Sequence, residues 1–215
     1  MPKSSPKGAG FPQALFGASS MYKEVSGAAA LLLTFWLFIP YIRSIRSGET
    51  KPHFFTWVIW AAGTLIVFAA QSAGGGGLGA WVIGVSGCIT SYVALLAYRH
   101  RSDLSITTGD LGCLVAALTA LPLWFMASDP LAVVVVLTSV DLVGFGPTVR
   151  AAYHRPHDER IWFYGLGAIR NALVIVALEH YSATTVLFPA AIGLACLLLA
   201  SFIAYRRALV GRLIS

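Results

Sequence analysis

Seven long runs of apolar residues, separated by short polar segments, make up most of this chain. Each run holds about 20 residues, which is the length an α-helix needs to cross the ~30 Å hydrocarbon core of a bilayer. The pattern therefore predicts an all-α, polytopic membrane protein with seven transmembrane helices. Asp110 and Pro122 interrupt the fourth run. The predicted spans lie near residues 24–42, 54–73, 78–98, 108–127, 130–149, 161–179 and 183–205.

Composition and charge agree with this pattern and add an orientation. Hydrophobic residues make up 57% of the 215 residues and charged residues only 11%, whereas a soluble domain carries about 25% charged residues. Eleven of the 15 Lys and Arg follow the first, third, fifth and seventh spans. Because basic loops stay in the cytoplasm, we expect an external N-terminus and a cytoplasmic C-terminus in the plasma membrane. Topology thus accounts for the net charge of +6 without a nucleic-acid partner.

An internal repeat organises the chain. The pattern F-x-P-x-x-R occurs at residues 38–43 and again at 145–150, and Ala-Tyr-Arg occurs at 97–99 and 204–206. Both pairs are 107 residues apart, so spans one to three and five to seven are predicted to be parallel copies of one three-helix unit. Parallel copies with an odd number of spans need a linker helix between them. The predicted parts are a tail at 1–23, a first repeat at 24–101, a linker helix at 102–129, a second repeat at 130–207 and a tail at 208–215.

The two proline motifs resemble those of the SWEET sugar transporters and the PQ-loop proteins. In those families a Pro-Gln dipeptide lies near the cytoplasmic end of the first helix of each repeat; here Pro40-Tyr41 and Pro147-Thr148 occupy these places. The resemblance implies a 3+1+3 helix plan and transport of a small solute between the repeats. The KDEL-receptor fold shares the plan, so a non-transporting receptor, regulator or membrane chaperone is the alternative.

Pro40 and Pro147 also have a direct physical consequence. Each proline removes one helix hydrogen bond and bends the helix. Two bends related by the repeat are candidate hinges for alternating access. The alternative is that both prolines merely end their helices.

Two ionisable residues lie inside predicted spans. Asp141 comes nine residues before Arg150, and Arg170 comes ten residues after Arg160. Both are therefore placed about 14 Å from the basic end of their helices, near the middle of the membrane. We expect an ion pair, or two groups that face one another across a cavity. The pair either holds two helices together or forms a binding or proton-coupling site; a resemblance to the helix-five Asp of cystinosin-like PQ-loop transporters implies proton coupling at Asp141.

Aromatic and amide residues follow one face of the second span and the matching face of the sixth. Trp57, Trp60 and Thr64 recur at helical spacing, and the repeat places Tyr164 and Asn171 on the corresponding face. Such a lining suits a sugar, an amino acid or a nucleoside-like solute. The alternatives are packing or interfacial tryptophans and an interhelical hydrogen bond from Asn171.

The remaining chemistry of the chain points away from catalysis. No Ser/His/Asp spacing, HExxH or CxxC motif is present, and the three cysteines fall in different spans. We therefore expect no enzyme activity, catalytic residue, metal or cofactor. The expected partners are a small-molecule solute, the bilayer and, in a homo-oligomer, further copies of the chain.

Overall fold

A computed structural model describes residues 13–50, 52, 54–100, 108, 111–112, 115, 119, 122, 130–157 and 159–214. Within these residues every regular element is an α-helix. The helices are α1 (Gln13–Arg46), α2 (Phe54–Ala73), α3 (Gly77–Arg99), α4 (Pro130–Val143), α5 (Gly146–His154), α6 (Ile161–Val176) and α7 (Ala183–Ile214).

Four of the described helices are long and apolar enough to cross a membrane. They are α1 from Met21, α2, α3, and α7 as far as Val210. The helices α4 and α6 are apolar but shorter, with 14 and 16 residues. The all-helical fold predicted from the sequence is thereby confirmed for these elements, and the four long apolar helices are compatible with the predicted membrane protein. The predicted fourth span, 108–127, lies outside the described residues except at six helical, exposed positions.

The fifth predicted span, 130–149, differs from the prediction because it is two helices. α4 ends at Val143, and α5 begins at Gly146. Pro147 has no N–H to donate to the carbonyl of Val143, so the ladder of helix hydrogen bonds is interrupted at this point. Gly144 also lets the indole of Trp60 approach closely, since a Cβ there would lie 2.9 Å from its ring atoms. In contrast, α1 continues past Pro40 to Arg46.

The contacts divide the helices into two groups with a similar arrangement, a first set and a second set. In the first set α3 packs against both α1 and α2, and in the second set α7 packs against both α4 and α6. Between the sets α1 packs against α6, and α2 packs against α4. We call α1–α3 the first set and α4–α7 the second set.

The bundle has two ends with different chemistry. At the basic end α1 finishes at Arg46 and α3 at Arg99, α7 carries Arg206 and Arg207, and Arg160 directly precedes α6. At the opposite, loop end, the turn at 74–77 meets the segment 177–182. The N–H of Glu179 donates to the carbonyl of Gly76 (3.3 Å), and the N–H of Gly79 donates to that of Ala177 (3.2 Å).

The apolar core is shared at the loop end and divided at the basic end. The largest cluster joins both sets and includes Val67, Val82, Leu137, Val174 and Phe188. Towards the basic end it gives way to two separate clusters, one in each set. The first is built on Ile45, Val93 and Leu96, and the second on Ala152, Leu199 and Ile203. The space between these two clusters holds the candidate site.

Candidate functional site

A central cavity of about 350 Å³ lies between the two sets. All seven described helices contribute to its wall. A volume of this size matches ordinary binding pockets for small molecules, which occupy roughly 300–1,000 Å³. Most of the predicted site residues line it, namely Trp57, Trp60, Thr64, Asp141, Tyr164 and Arg170.

Arg170 is the buried cation of this cavity, with 7% of its surface exposed. Its Nε donates to the hydroxyl of Thr34 on α1 (3.0 Å), and its Nη2 donates to the carbonyl of Val82 on α3 (3.4 Å). Its Nη1 donates to the side-chain oxygen of Asn171 (3.2 Å). These bonds use three of the five guanidinium N–H groups and leave two. Residues of both sets therefore hold Arg170 in one orientation while donors remain for a ligand.

Asn171, predicted as a substrate-binding residue, does not contribute to the cavity wall. Its amide nitrogen donates to the carbonyl of Gly167 (2.8 Å), and its oxygen accepts from Arg170. Gly193 on α7 packs directly against it, because a Cβ on that glycine would lie 3.0 Å from the Cβ of Asn171. The amide is thus occupied in orienting Arg170.

Asp141 lines the same cavity from α4 but does not pair directly with Arg170. Among the described residues neither a hydrogen bond nor an ion pair reaches its carboxyl group, and the guanidinium contacts only neutral groups. Of the two expected arrangements, the direct ion pair is therefore not formed. Both groups instead line one cavity.

An aromatic wall covers the side of the cavity nearest the basic end. Trp57 stacks on Tyr41 with ring centroids 5.1 Å apart and meets Trp60 edge to face at 5.4 Å. Phe38 also meets Trp57 edge to face, with ring centroids 6.4 Å apart. The hydroxyl of Tyr164, across the cavity, donates to Glu159 (2.8 Å). Trp57 and Trp60 therefore pack against neighbouring rings and also line the cavity. The packing role and the cavity-lining role considered from the sequence are both present.

The candidate hinges take different positions in the two sets. Pro40 lies exposed inside α1 and lines a second, larger cleft of about 620 Å³. Arg43, Ser44 and Arg160 also line this cleft, which shares Leu37, Tyr41 and Phe163 with the central cavity. The central cavity therefore adjoins a polar cleft at the basic end. Pro147 is the second residue of α5, directly after the interruption of the helix.

Sequence reasoning missed two residues that shape the site, Thr34 and Gly63. The repeat offset of 107 pairs Thr34 with Asp141, and it pairs Gly63 with Arg170. Arg170 bonds to Thr34, while a Cβ on Gly63 would lie 3.8 Å from the carboxyl oxygen of Asp141. The signal was available in the offset, but small and uncharged residues do not stand out in an apolar span.

Ser86 and Thr90 on α3 also line the cavity. The hydroxyl of Thr90 donates to the carbonyl of Ser86 (2.8 Å) within the helix. Across the described residues, no group of three or more His, Cys, Asp or Glu side chains is arranged to hold a metal ion.

No protein-family model, curated protein or solved structure shows a significant match to this chain.

Proposed function

We propose that this chain is a transporter or facilitator of a small polar solute, which binds in the central cavity between two repeats at the middle of the membrane. One observation carries the proposal. The cavity contains a carboxyl group that has no partner among the described residues and an arginine with two N–H groups that none of the described hydrogen bonds uses, in helices that lie among candidate membrane spans. Ionisable groups are costly at this depth and characteristically mark solute or ion pathways.

The arrangement of contacts supports a 3+1+3 plan for the proposed transporter. Under the 107-residue offset, Ile45 and Leu96 of the first basic-end cluster correspond to Ala152 and Ile203 of the second. The contacts of α1 with α6 and of α4 with α2 correspond in the same way. Two equivalent units packed around a central site are a known transporter plan.

The difference between the two ends supports an inward-facing state of the proposed transporter, with the aromatic wall between the cavity and the cleft. The basic end, which the positive-inside rule assigns to the cytoplasm, carries the polar cleft that adjoins the cavity. The loop end is closed by the shared core and by the hydrogen bonds from Glu179 to Gly76 and from Gly79 to Ala177. Solute would leave on the cytoplasmic side in this conformation.

Uptake into proteoliposomes tests this proposal. The purified full chain is first screened by thermal shift against sugars, amino acids and nucleosides, and radiolabelled forms of the compounds that stabilise it are then used as substrates. The proposal expects saturable uptake above that of empty liposomes, and an imposed pH gradient tells a proton-coupled carrier from a facilitator. Binding without uptake would contradict transport and would favour a membrane receptor on the same fold.

A further inference from the structure

The two charged groups of the cavity occupy different but equivalent half-sites. The interface of α1 with α6 contains Thr34 and Arg170, and the interface of α4 with α2 contains the equivalent positions Asp141 and Gly63. The first half-site therefore carries a cation and the second an acid. In the first half-site Arg170 meets Thr34, which is the residue equivalent to Asp141. In the second half-site Asp141 lies beside Gly63, which is the residue equivalent to Arg170.

We propose that the cavity binds a zwitterionic solute, with its anionic group at Arg170 and its cationic group at Asp141. The class meant is that of α-amino acids and related compounds, which carry an ammonium and a carboxylate on one small skeleton. This inference rests on the proposed function and narrows its substrate class.

The half-site at Arg170 has the chemistry of a carboxylate subsite. Arginine presents planar, paired donors that match a carboxylate, and two of its N–H groups remain after the bonds to Thr34, Val82 and Asn171. All three partners are neutral, so the bound solute would supply the counter-charge that a buried guanidinium requires.

The half-site at Asp141 has the chemistry of an ammonium subsite. Gly63 stands at the position equivalent to Arg170 and places no side chain beside the carboxyl group of Asp141, which lines the cavity. The indole of Trp60 packs on Gly144, one turn beyond Asp141. Trp60 and Asp141 line the same cavity, and an aromatic ring in a cavity wall adds to the attraction of a carboxylate for a cation.

Charge balance favours a zwitterion over a singly charged solute. A bound anion would satisfy Arg170 but leave Asp141 without a partner, and a bound amine would do the reverse. A sugar carries no charge and would leave both Arg170 and Asp141 without a counter-charge. Arg170 is buried, and a buried charge without a partner is costly. Only a solute with both charges completes both half-sites.

Binding to the purified full chain, measured by calorimetry, tests the inference separately from transport. The 20 common amino acids and glycine betaine are screened first. The tightest-binding amino acid is then compared with its amide, which keeps only the ammonium, and its des-amino acid, which keeps only the carboxylate. We expect each of these to bind about tenfold or more weakly than the parent compound.

Charge-neutralising variants assign the two ends of the solute. Asp141→Asn should weaken the amino acid and its amide but leave the des-amino acid unchanged, and Arg170→Gln should produce the opposite pattern. Arg170→Lys retains the charge and keeps the test usable should Arg170→Gln not fold. Glu24→Gln and Arg99→Gln change the same charges at exposed positions and should alter neither affinity.

Three outcomes decide between the two proposals. Binding of sugars or nucleosides alone, with uptake intact, would overturn the zwitterion inference and leave the transporter proposal standing. Zwitterion binding in the expected pattern without uptake would support the site and overturn transport. Equal weakening of all three compounds by Asp141→Asn would also overturn the inference, since it would mean that the carboxyl group of Asp141 does not bind the ammonium group specifically.

Discussion

The loop end and the basic end of this bundle are made from the same helices but are packed differently. At the loop end one apolar cluster joins the two sets, and backbone hydrogen bonds link Gly76 and Gly79 of the first set to the segment 177–182 of the second. At the basic end each set has its own cluster, and a cavity and a cleft separate them. Each set therefore has a buried cluster of its own near the basic end, whereas the two sets share one core at the loop end.

Solvent access is expected to differ most between the two ends. Single cysteines are placed at Thr148 in the cavity wall, at Val67 in the shared core and at Tyr181 on the exposed loop end, after the native cysteines are replaced by alanine. A membrane-impermeant thiol reagent should label Thr148→Cys only from the basic side and at least about tenfold faster than Val67→Cys, which must wait for local opening. Tyr181→Cys should be labelled only from the other side. Labelling of Thr148→Cys from both sides would break the comparison.

Close packing at the loop end predicts the next largest effect. A Cβ on Gly79 would lie 2.7 Å from the carbonyl oxygen of Val174, a backbone atom that cannot move aside. We expect Gly79→Ala to lower the free energy of unfolding by about 1–3 kcal/mol, as overpacking does. Gly165→Ala is the matched control, since no atom lies within 4 Å of its new Cβ, and it should be neutral or stabilising. Thermal unfolding in detergent measures both, and equal losses would show that the close approach at the loop end does not matter.

Much of the helical arrangement could be predicted from the sequence, because span length and the repeat depend on composition and spacing alone. The bounds of α2 and the shared position of Asp141 and Arg170 follow from such patterns. The interruption after Val143 and the role of Asn171 did not follow, because they depend on which helix packs against which. The depth predicted from the sequence placed Asp141 and Arg170 at one level. The bond from Arg170 to Thr34 could not be predicted in this way, because it depends on the packing of α6 on α1.

Two buried threonines allow the two halves of the bundle to be compared with one chemical change. The hydroxyl of Thr34 accepts from Arg170 and donates to the carbonyl of Ala30 (2.8 Å), whereas the hydroxyl of Thr138 has no partner among the described residues. Thr34→Val leaves a guanidinium donor unpaired and should cost about 1–3 kcal/mol of stability, while Thr138→Val should be neutral or stabilising. Chemical unfolding of both variants measures the difference, and a larger loss at Thr138 would contradict it.

The smallest expected effect concerns the aromatic wall that separates the cavity from the basic-end cleft. Tyr41 stacks on Trp57 and lines both spaces, so it lies where a solute would pass between them. Tyr41→Leu removes one aromatic pair, worth about 0.5–1.5 kcal/mol, from a cluster that belongs to the first set alone. We therefore expect a modest fall in melting temperature, with faster labelling of Thr148→Cys from the basic side because the wall is thinner. Trp162→Leu, an exposed ring in the same cleft, controls for loss of an aromatic ring in general. Unchanged labelling of Thr148→Cys in the Tyr41→Leu variant would show that the wall does not limit access, and that the basic end is open by a route that bypasses Tyr41.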